Sequence, residues 1–566
     1  MDRRTFLQAV GASAPAALPA DTADTAATHP DAAAPGEPRV LVYDDGRHAA
    51  PLYQFAPPLT PADFTITVDQ FADTGVDTLV YSAGLEGGAQ LYNSRVAQTW
   101  GENVSQWTHP VWYRAGRHLE QLINDGHDPL ALLCNRAHEK GLLLLASNWL
   151  SLQGGDRKTH GGWGRQSDFV YDHAGCEVGR ETDRRAAGVS PRRFSLLHED
   201  VRNERFAVFQ EMLEDYPTDG VELSLVDFVP MCRFDQVDQL RPLLTEWLRR
   251  LRQVADAAAT QQQRRKRIYA RIPIDHQTST ALGYDIQTWI KEGLVDGLVC
   301  CHGVFQHPMV QDWSLQQLRE RVAGTDCRLV AGFSDLLHRQ FERAATQEMT
   351  WAAAANAWDD GADAFAIVEY HWTPNGWPHT AEDLQTLRLL GHPDLLAVRN
   401  KLYHVPSRPG NERQTTAWPQ ARQPALPTEL KEDQPVRLRL KISDDLESTA
   451  GQEKVEEVRL RVRITNIEPT LNRVRVKLNG KTLPEEILSL DDLTYRMQPL
   501  GSFHPYGFVY DFHLPRKLWP RRGENQVQVT LEKRDRGIQT RYDVHDVDLA
   551  IRYNRQRHLR SQPLEY

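Results

Sequence analysis

Between residues 39 and 404, short apolar or β-branched runs alternate with longer stretches of helical spacing. Eight runs are predicted as strands: 40–45, 78–83, 142–150, 220–228, 268–274, 297–303, 327–333 and 364–370. Between them Phe206, Phe209, Met212 and Leu213 recur at i, i+3, i+6 and i+7, and Leu243, Leu244, Trp247, Leu248 and Leu251 follow the same kind of spacing, which predicts amphipathic helices. Apolar runs flanked by helices imply parallel strands buried on both faces. Eight strand-then-helix units in roughly 360 residues fit a (β/α)8 TIM barrel with long insertions. A doubly wound open sheet is the alternative. Its nucleotide-binding versions are disfavoured, because no G-x-G-x-x-G follows the first strand and no G-x-x-x-x-G-K-[ST] occurs.

Beyond His404 the pattern changes twice. Residues 405–435 are rich in Pro, Gln and Arg and read as a linker or strap along the barrel. From Val436 the period becomes two: Val436, Leu438 and Leu440 alternate with Arg437, Arg439 and Lys441. The run 473–478 leads into Asn479-Gly480, a hairpin signal, and Val527, Val529, Leu531, then Val547, Leu549 and Ile551, continue the alternation. Residues 436–566 are thus expected to form an antiparallel β-sandwich with one buried and one charged face. Few aromatics decorate these strands, so the sandwich reads as a structural partner of the barrel rather than a sugar-binding module.

Composition changes the picture little. The 566 residues are 40% hydrophobic and 25% charged, an ordinary globular balance. The net charge of −10 argues against a nucleic-acid partner, which needs a concentrated basic face. Six cysteines in such a length are not a disulfide framework, and no run of about 18 apolar residues exists to span a membrane. The amino terminus stands apart. Arg3-Arg4-Thr5-Phe6-Leu7 followed by an Ala-rich stretch resembles a twin-arginine export signal, with residues 21–38 as a flexible spacer, and implies a periplasmic or extracellular protein. A disordered Ala-rich tail is the alternative.

In a barrel, chemistry gathers at the carboxyl ends of the strands. The candidates there are Asp44 and Asp45, Tyr81 and Ser82, Asn148 and Trp149, Asp227, Arg271, His302, Asp335, and Glu369 with Tyr370. The segment 219–228 is the most informative. By alternation Glu222 and Ser224 share one face and Leu223 and Leu225 the other. The leucines suit the helix layer, which turns Glu222 into the barrel, where a carboxylate is expensive unless it is paired or used. It is either catalytic or a structural partner of an arginine such as Arg271. Glu222 sits early in its strand, a layer below the mouth, which favours Asp227 as an exposed competitor.

Three segments carry a family resemblance: 197–202 leading to 216–223; Ala270-Arg271-Ile272-Pro273 followed by 283–289 and 292–296; and 361–365 followed by 387–391. Together they span most of 39–404, and they resemble an exported bacterial family of glycosyl-hydrolase-like barrels, mostly uncharacterised. The family pattern carries Asp two residues after the Glu, whereas this chain has Ser224 there. The resemblance therefore implies a glycosidase fold with one carboxylate fewer at the site.

Glycoside hydrolysis needs two carboxyl groups flanking the scissile bond. The expected pair is Glu222 or Asp227 on the fourth strand with Glu369 on the eighth. These strands are nearly opposite in a ring of eight, which suits the wider, inverting separation of about 6.5–9.5 Å rather than about 5–5.5 Å. Asp44, Asp45, Asn148, Trp149, Arg271, His302, Tyr370 and Trp372 are the expected substrate-binding residues. Seven of the 14 tryptophans (Trp100, Trp107, Trp112, Trp149, Trp163, Trp372 and Trp377) fall in the predicted βα loops, where indoles can stack on sugar faces. No cofactor is implied. Cys300, Cys301, His302 and His307 lie close in sequence, but adjacent strand cysteines face opposite ways and cannot both ligate a metal easily. No G-x-S-x-G occurs, so a serine nucleophile has no support. The basic run 264–267 reads as a solvated helix end. The rival readings are a non-catalytic carbohydrate-binding protein on this scaffold and a structural or assembly protein that keeps the barrel only as a frame.

Overall fold

The computed structural model describes residues 36–46, 51–187, 189–302, 309–334, 345–368, 379–407, 425–448, 454–492 and 507–553. The export-signal expectation and the candidates Asp335, Glu369, Tyr370, Trp372 and Trp377 lie outside them.

Eight parallel strands close in chain order into a barrel: β1 (Val40–Asp44), β2 (Thr78–Ser82), β3 (Leu143–Trp149), β4 (Gly220–Ser224), β5 (Arg267–Pro273), β6 (Gly297–Cys301), β7 (Arg328–Phe333) and β8 (Ala364–Ile367). Both faces of these strands are apolar because both are covered. Val42, Leu79, Leu144, Leu223 and Leu298 pack outward under the helices. Leu41, Tyr43, Val80, Leu145, Tyr269, Val299 and Val330 fill the lumen. At about 1.5–3 kcal/mol for each large side chain removed from water, these two layers are the main stabilising term. The helix spacing read in the sequence is also present. Phe206 and Phe209 of helix Glu199–Glu214 meet the Trp247 ring of helix Val237–Gln262 edge-on, at centroid distances of 5.8 and 5.6 Å.

β4 ends at Ser224, four residues before the predicted end. The apolar run continues because the turn that follows is itself packed: Leu225 and Val226 are buried, and Phe228 takes a left-handed backbone with φ 51°. At the other end of β4, Gly220 has φ 139°, and a Cβ there would sit 2.0 Å from the Arg267 carbonyl oxygen of β5. A backbone atom cannot swing aside, so Gly220→Ala is expected to cost about 3 kcal/mol or more, read as a drop in the urea midpoint. An unchanged midpoint would contradict the close approach.

The basic run is not a solvated helix end. Lys266 and Arg267 are buried at the floor of the barrel. The Lys266 ammonium donates to the carbonyls of Tyr216 (2.9 Å) and Thr218 (2.7 Å). Arg264 reaches Asp219 at 3.0 Å, and Arg265 reaches Asp296 at 3.1 Å. The run opens β5, where carboxylates and carbonyls at the strand roots need cations.

The chain leaves the barrel through β9 (Lys401–His404), which pairs antiparallel with β18 (Asp543–Tyr553). β10 (Thr428–Glu429) pairs with the same strand. They belong to a six-stranded sheet completed by β12 (Val455–Thr465), β16 (Gly507–His513) and β15 (Leu488–Asp492). A four-stranded sheet runs β11 (Val436–Ile442), β17 (Gly523–Lys533), β13 (Arg473–Leu478) and β14 (Lys481–Thr482). The inward rows of the two sheets form one core, which also takes in Ala352 from the barrel helix Gln347–Asp359.

Candidate active site

The parity of each strand decides which candidates face the lumen. Tyr43 points inward, so Asp44 points outward, in the row of its β2 neighbour Tyr81. Asp44 is therefore not a lumen residue. Its carboxylate is 3% exposed and accepts the Gly46 N–H at 2.8 Å. Burial and the charge of Asp45 push its pKa up to about 7. A carboxyl raised in the folded state favours the fold only while the unfolded chain is also protonated. This stability is present below pH 3.8 and is lost as pH climbs from there to about 7. Asp44→Asn is expected to stabilise the protein at pH 8 by up to about 4 kcal/mol, at about 1.36 kcal/mol per unit, with the gain vanishing near pH 4. Urea midpoints of both proteins at pH 4, 6 and 8 read this directly, and a gain independent of pH would contradict it.

Asn148 and His302 are likewise turned away from the lumen. Asn148 is fully buried, donating to Gln90 Oε1 at 2.8 Å and accepting the Trp149 N–H at 2.8 Å. The His302 ring lies 5.2 Å from that of Trp313, which packs on Phe333 and Phe365 in the outer layer. In both cases the inward neighbour, Ser147 or Cys301, takes the lumen side.

Glu222 faces inward as the alternation implies, but no part of it reaches solvent. Arg271 Nε lies 3.1 Å from its Oε1, the Tyr43 hydroxyl donates to the same oxygen at 3.2 Å, and Ser147 Oγ–H donates to Oε2. Burial raises its pKa, while Arg271, Ser147 and Tyr43 pull the other way. The Arg271 guanidinium stacks 4.9 Å above the Tyr43 ring. Burial opposes its charge, but Glu222 and Tyr43 outweigh that and hold it firmly protonated.

The polar chain continues upward. Strand register sets Trp149, Ser224 and Arg271 side by side, one layer above Ser147, Glu222 and Tyr269. Arg271 Nη2 donates to Ser224 Oγ at 2.8 Å, and Ser224 Oγ–H reaches Asp227 Oδ2 at 3.4 Å. Asp227 is partly exposed. Its turn is pinned from two sides: the Tyr284 hydroxyl donates to the Leu225 carbonyl (2.8 Å) and the Ser151 hydroxyl to the Asp227 carbonyl (2.7 Å). Phe228, held at φ 51°, sets its ring 5.5 Å from that of Trp149. Such a backbone costs on the order of 1–3 kcal/mol and persists only where its surroundings enforce it.

The structure thus brings Glu222, Arg271, Ser224, Asp227 and Trp149 into one column. Asp45, the residue after β1, is partly buried. Among the described residues the loop tryptophans do not share one groove. Trp100 is buried and donates to the Trp163 carbonyl at 3.0 Å. The rings of Trp112 and Trp163 meet at 5.5 Å with their planes tilted by 55°, and Trp107 with Trp100 lines a separate cavity of about 480 Å³ beside helix Pro110–Asn124. Tyr43, Ser147 and Phe228 were not singled out from the sequence. Tyr43 and Ser147 carry no motif, and only the strand parity would have placed them beside Glu222. Among the described residues no three His, Cys, Asp or Glu side chains are grouped to hold a metal ion.

The fold defines a closed (β/α)8 barrel with an appended β-sandwich. No family model and no curated protein matches the chain. Solved structures to which it is similar include the glycoside hydrolase domain of PgaB (BpsB) from Bordetella bronchiseptica, at 14% identity over 62% of this chain and 98% of that one, with a TM-score of 0.40. Alpha-L-fucosidase isoenzyme 2 from Paenibacillus thiaminolyticus matches at 13% identity over 62% of this chain and 48% of that one, with a TM-score of 0.39. A chitinase from Chromobacterium violaceum matches at 9% identity over 63% of this chain and 99% of that one, with a TM-score of 0.32.

Proposed function

We propose that the barrel mouth is the active site of a glycoside hydrolase acting on an oligo- or polysaccharide, with Asp227 and Glu369 as its two carboxyl groups. The observation that carries this reading is Asp227 itself, a partly exposed carboxylate at the end of β4, held on an enforced left-handed turn beside the paired rings of Trp149 and Phe228. An apolar ring surface next to a fixed carboxylate suits a sugar, whose faces are apolar and whose rim is polar. Glu222, sealed in its ion pair, is assigned a positioning role: it fixes Arg271, Arg271 fixes Ser224, and Ser224 meets Asp227. Ser224, where the resemblance expects Asp, thus serves as the link to a carboxylate three residues further on.

Glu369 follows β8, which lies opposite β4 in the ring. Carboxyl groups carried by opposite strands suit the wide separation of an inverting enzyme. The test is a saccharide-array turnover screen on the chain from residue 39, with the product anomer read by NMR. Release of reducing ends with inversion is expected, and a retained anomer would overturn the pairing. Export through the twin-arginine signal is proposed alongside. All six cysteines are buried and free, so the fold needs no disulfide and could be complete before transport. Blocked export of an Arg3→Lys, Arg4→Lys variant is the expected result.

A second reading, a carbohydrate-binding protein without turnover, is favoured by one observation: the strand carboxylate Glu222 is consumed in an ion pair. Saccharide retention without release of reducing ends would decide for it.

A further inference from the structure

The outer face of the four-stranded sheet carries a charge that the overall composition hides. On β11, Arg437, Arg439 and Lys441 point away from the core, and on β13 Arg473, Arg475 and Lys477 do. Between them β17 presents Glu524, Gln526, Gln528, Thr530 and Glu532. Within the sheet six cations thus face two carboxylates, in a chain whose net charge is −10, and at the barrel side Asp360 meets Lys441 and Asp312 lies 3.8 Å from Arg439. Four of the six are engaged: Arg439 with Glu524 at 2.8 Å, Arg473 with Glu532 at 3.0 Å, Arg475 with the same Glu532, and Lys441 with Asp360 of the barrel. Among the described residues no carboxylate lies within ion-pair distance of Arg437 or Lys477, and these two flank Gln528 directly across the sheet. The other sheet is built differently, for its Arg459 and Arg463 lie against Asp511 and Asp546 of neighbouring strands.

Flat geometry turns these residues into an array. Neighbouring strands lie about 4.8 Å apart, so Arg437 and Lys477 stand roughly 10 Å from each other, with an amide donor and acceptor between them. Along β11 the next cation comes after about 6.8 Å. Arg439, Arg473 and Arg475 have 57%, 70% and 44% of their side chains exposed. Like charges at such spacing repel one another unless an anion lies between them.

We propose that this face binds an anionic polysaccharide, a polymer bearing uronate or sulfate groups, through Arg437 and Lys477 with Gln528 between them. The charge of the polymer follows from the face; that it is a saccharide rests on the glycosidase reading of the barrel. Among the described residues of these three strands no aromatic side chain stands on this face, so they offer no stacking platform of the kind by which single-stranded nucleic acids are held. Guanidinium and ammonium groups meet carboxylate or sulfate oxygens, while Gln528 and Thr530 suit hydroxyls.

The test is binding of the full chain to dextran sulfate, polygalacturonate, neutral dextran and single-stranded DNA, repeated with an Arg437→Gln, Lys477→Gln double variant whose fold is checked by its melting temperature. Expected are retention on at least one anionic polysaccharide and none on neutral dextran, binding at least about tenfold weaker in the double variant, and loss of binding as salt rises from about 0.05 M to about 0.5 M. Equal binding by the variant, or equal retention on neutral dextran, would overturn the proposal, and tighter binding of DNA than of either polyanion would overturn its saccharide assignment. The barrel reading is tested separately by turnover of short neutral oligosaccharides. Polyanion binding lost in the variant supports the proposal even where nothing is cleaved. Cleavage without polyanion binding overturns it and leaves the glycosidase reading in place.

Discussion

Asp227→Asn is expected to lower turnover about a thousandfold while leaving the fold intact. A positioned acid, base or nucleophile is typically worth about 10²–10⁴ in rate. Asparagine keeps the shape of the side chain and an oxygen to accept from Ser224, so the 225–228 turn retains its fastenings at Leu225 and Asp227. The loss should fall on kcat, with KM moving by less than about threefold, because sugar stacking on Trp149 is untouched. Trp149→Ala should show the converse, a raised KM. Glu222→Gln separates positioning from chemistry. It weakens the hold on Arg271 and should lower kcat less than the Asp227 change, while lowering the melting temperature more, since it leaves the buried Arg271 short of its counter-charge. Measured kcat within threefold of wild type for Asp227→Asn would remove Asp227 from the chemistry.

The largest effect on stability is expected at Asp444, on the junction between barrel and sandwich. Its carboxylate is fully buried and accepts from the Lys401 ammonium at 2.9 Å and from the hydroxyls of Tyr403 and Tyr553. The Lys401 side chain is itself only 1% exposed. Asp444→Ala strands that ammonium, leaving it the Arg399 carbonyl at 3.3 Å and the face of the Tyr553 ring at 5.1 Å, neither of them a counter-charge. Breaking one side of a buried pair costs about 3–5 kcal/mol, a large part of a usual stability of about 5–15 kcal/mol. Replacing both charges, as in Lys401→Met with Asp444→Leu, should recover much of the loss, because a buried pair is often no better than apolar residues of its size. Urea denaturation of Lys401→Met, Asp444→Leu and the double variant closes the cycle. A cost below about 1 kcal/mol for Asp444→Ala would show that the lysine finds water or another acceptor.

Why parts of this molecule could be read in advance, and others not, comes down to burial on one face or two. The sandwich strands bury one face, so Val436, Leu438 and Leu440 announce their direction against Arg437, Arg439 and Lys441. In β4 the leucines and the polar pair do the same, and Glu222 faces inward as that pattern implies. In β1 both rows are apolar, Val40 and Val42 against Leu41 and Tyr43, so nothing in the run says whether Asp44 or Asp45 enters the lumen. The outward turn of Asn148 and His302 is hidden for the same reason: Asn148 is the last but one residue of β3 and His302 follows β6, and both strands are buried on two sides. The tryptophans show a further limit. A position in a βα loop fixes the end of the barrel on which an indole lies, but not whether it faces a ligand or, like Trp100, the loop's own core.

The exit of the chain from the barrel has one more consequence. β9 and β10 flank the segment between 404 and 428, and both lie along β18. A sandwich begun at Val436 would therefore leave a long strand with its outward amides and carbonyls bare, a template for pairing with a second molecule. β9 and β10 take up those amides and carbonyls from within the same chain, so that row is already paired in the folded molecule. Tolerance of cutting or domain transplantation is thus set at residue 401, upstream of Val436, where the period-two pattern begins.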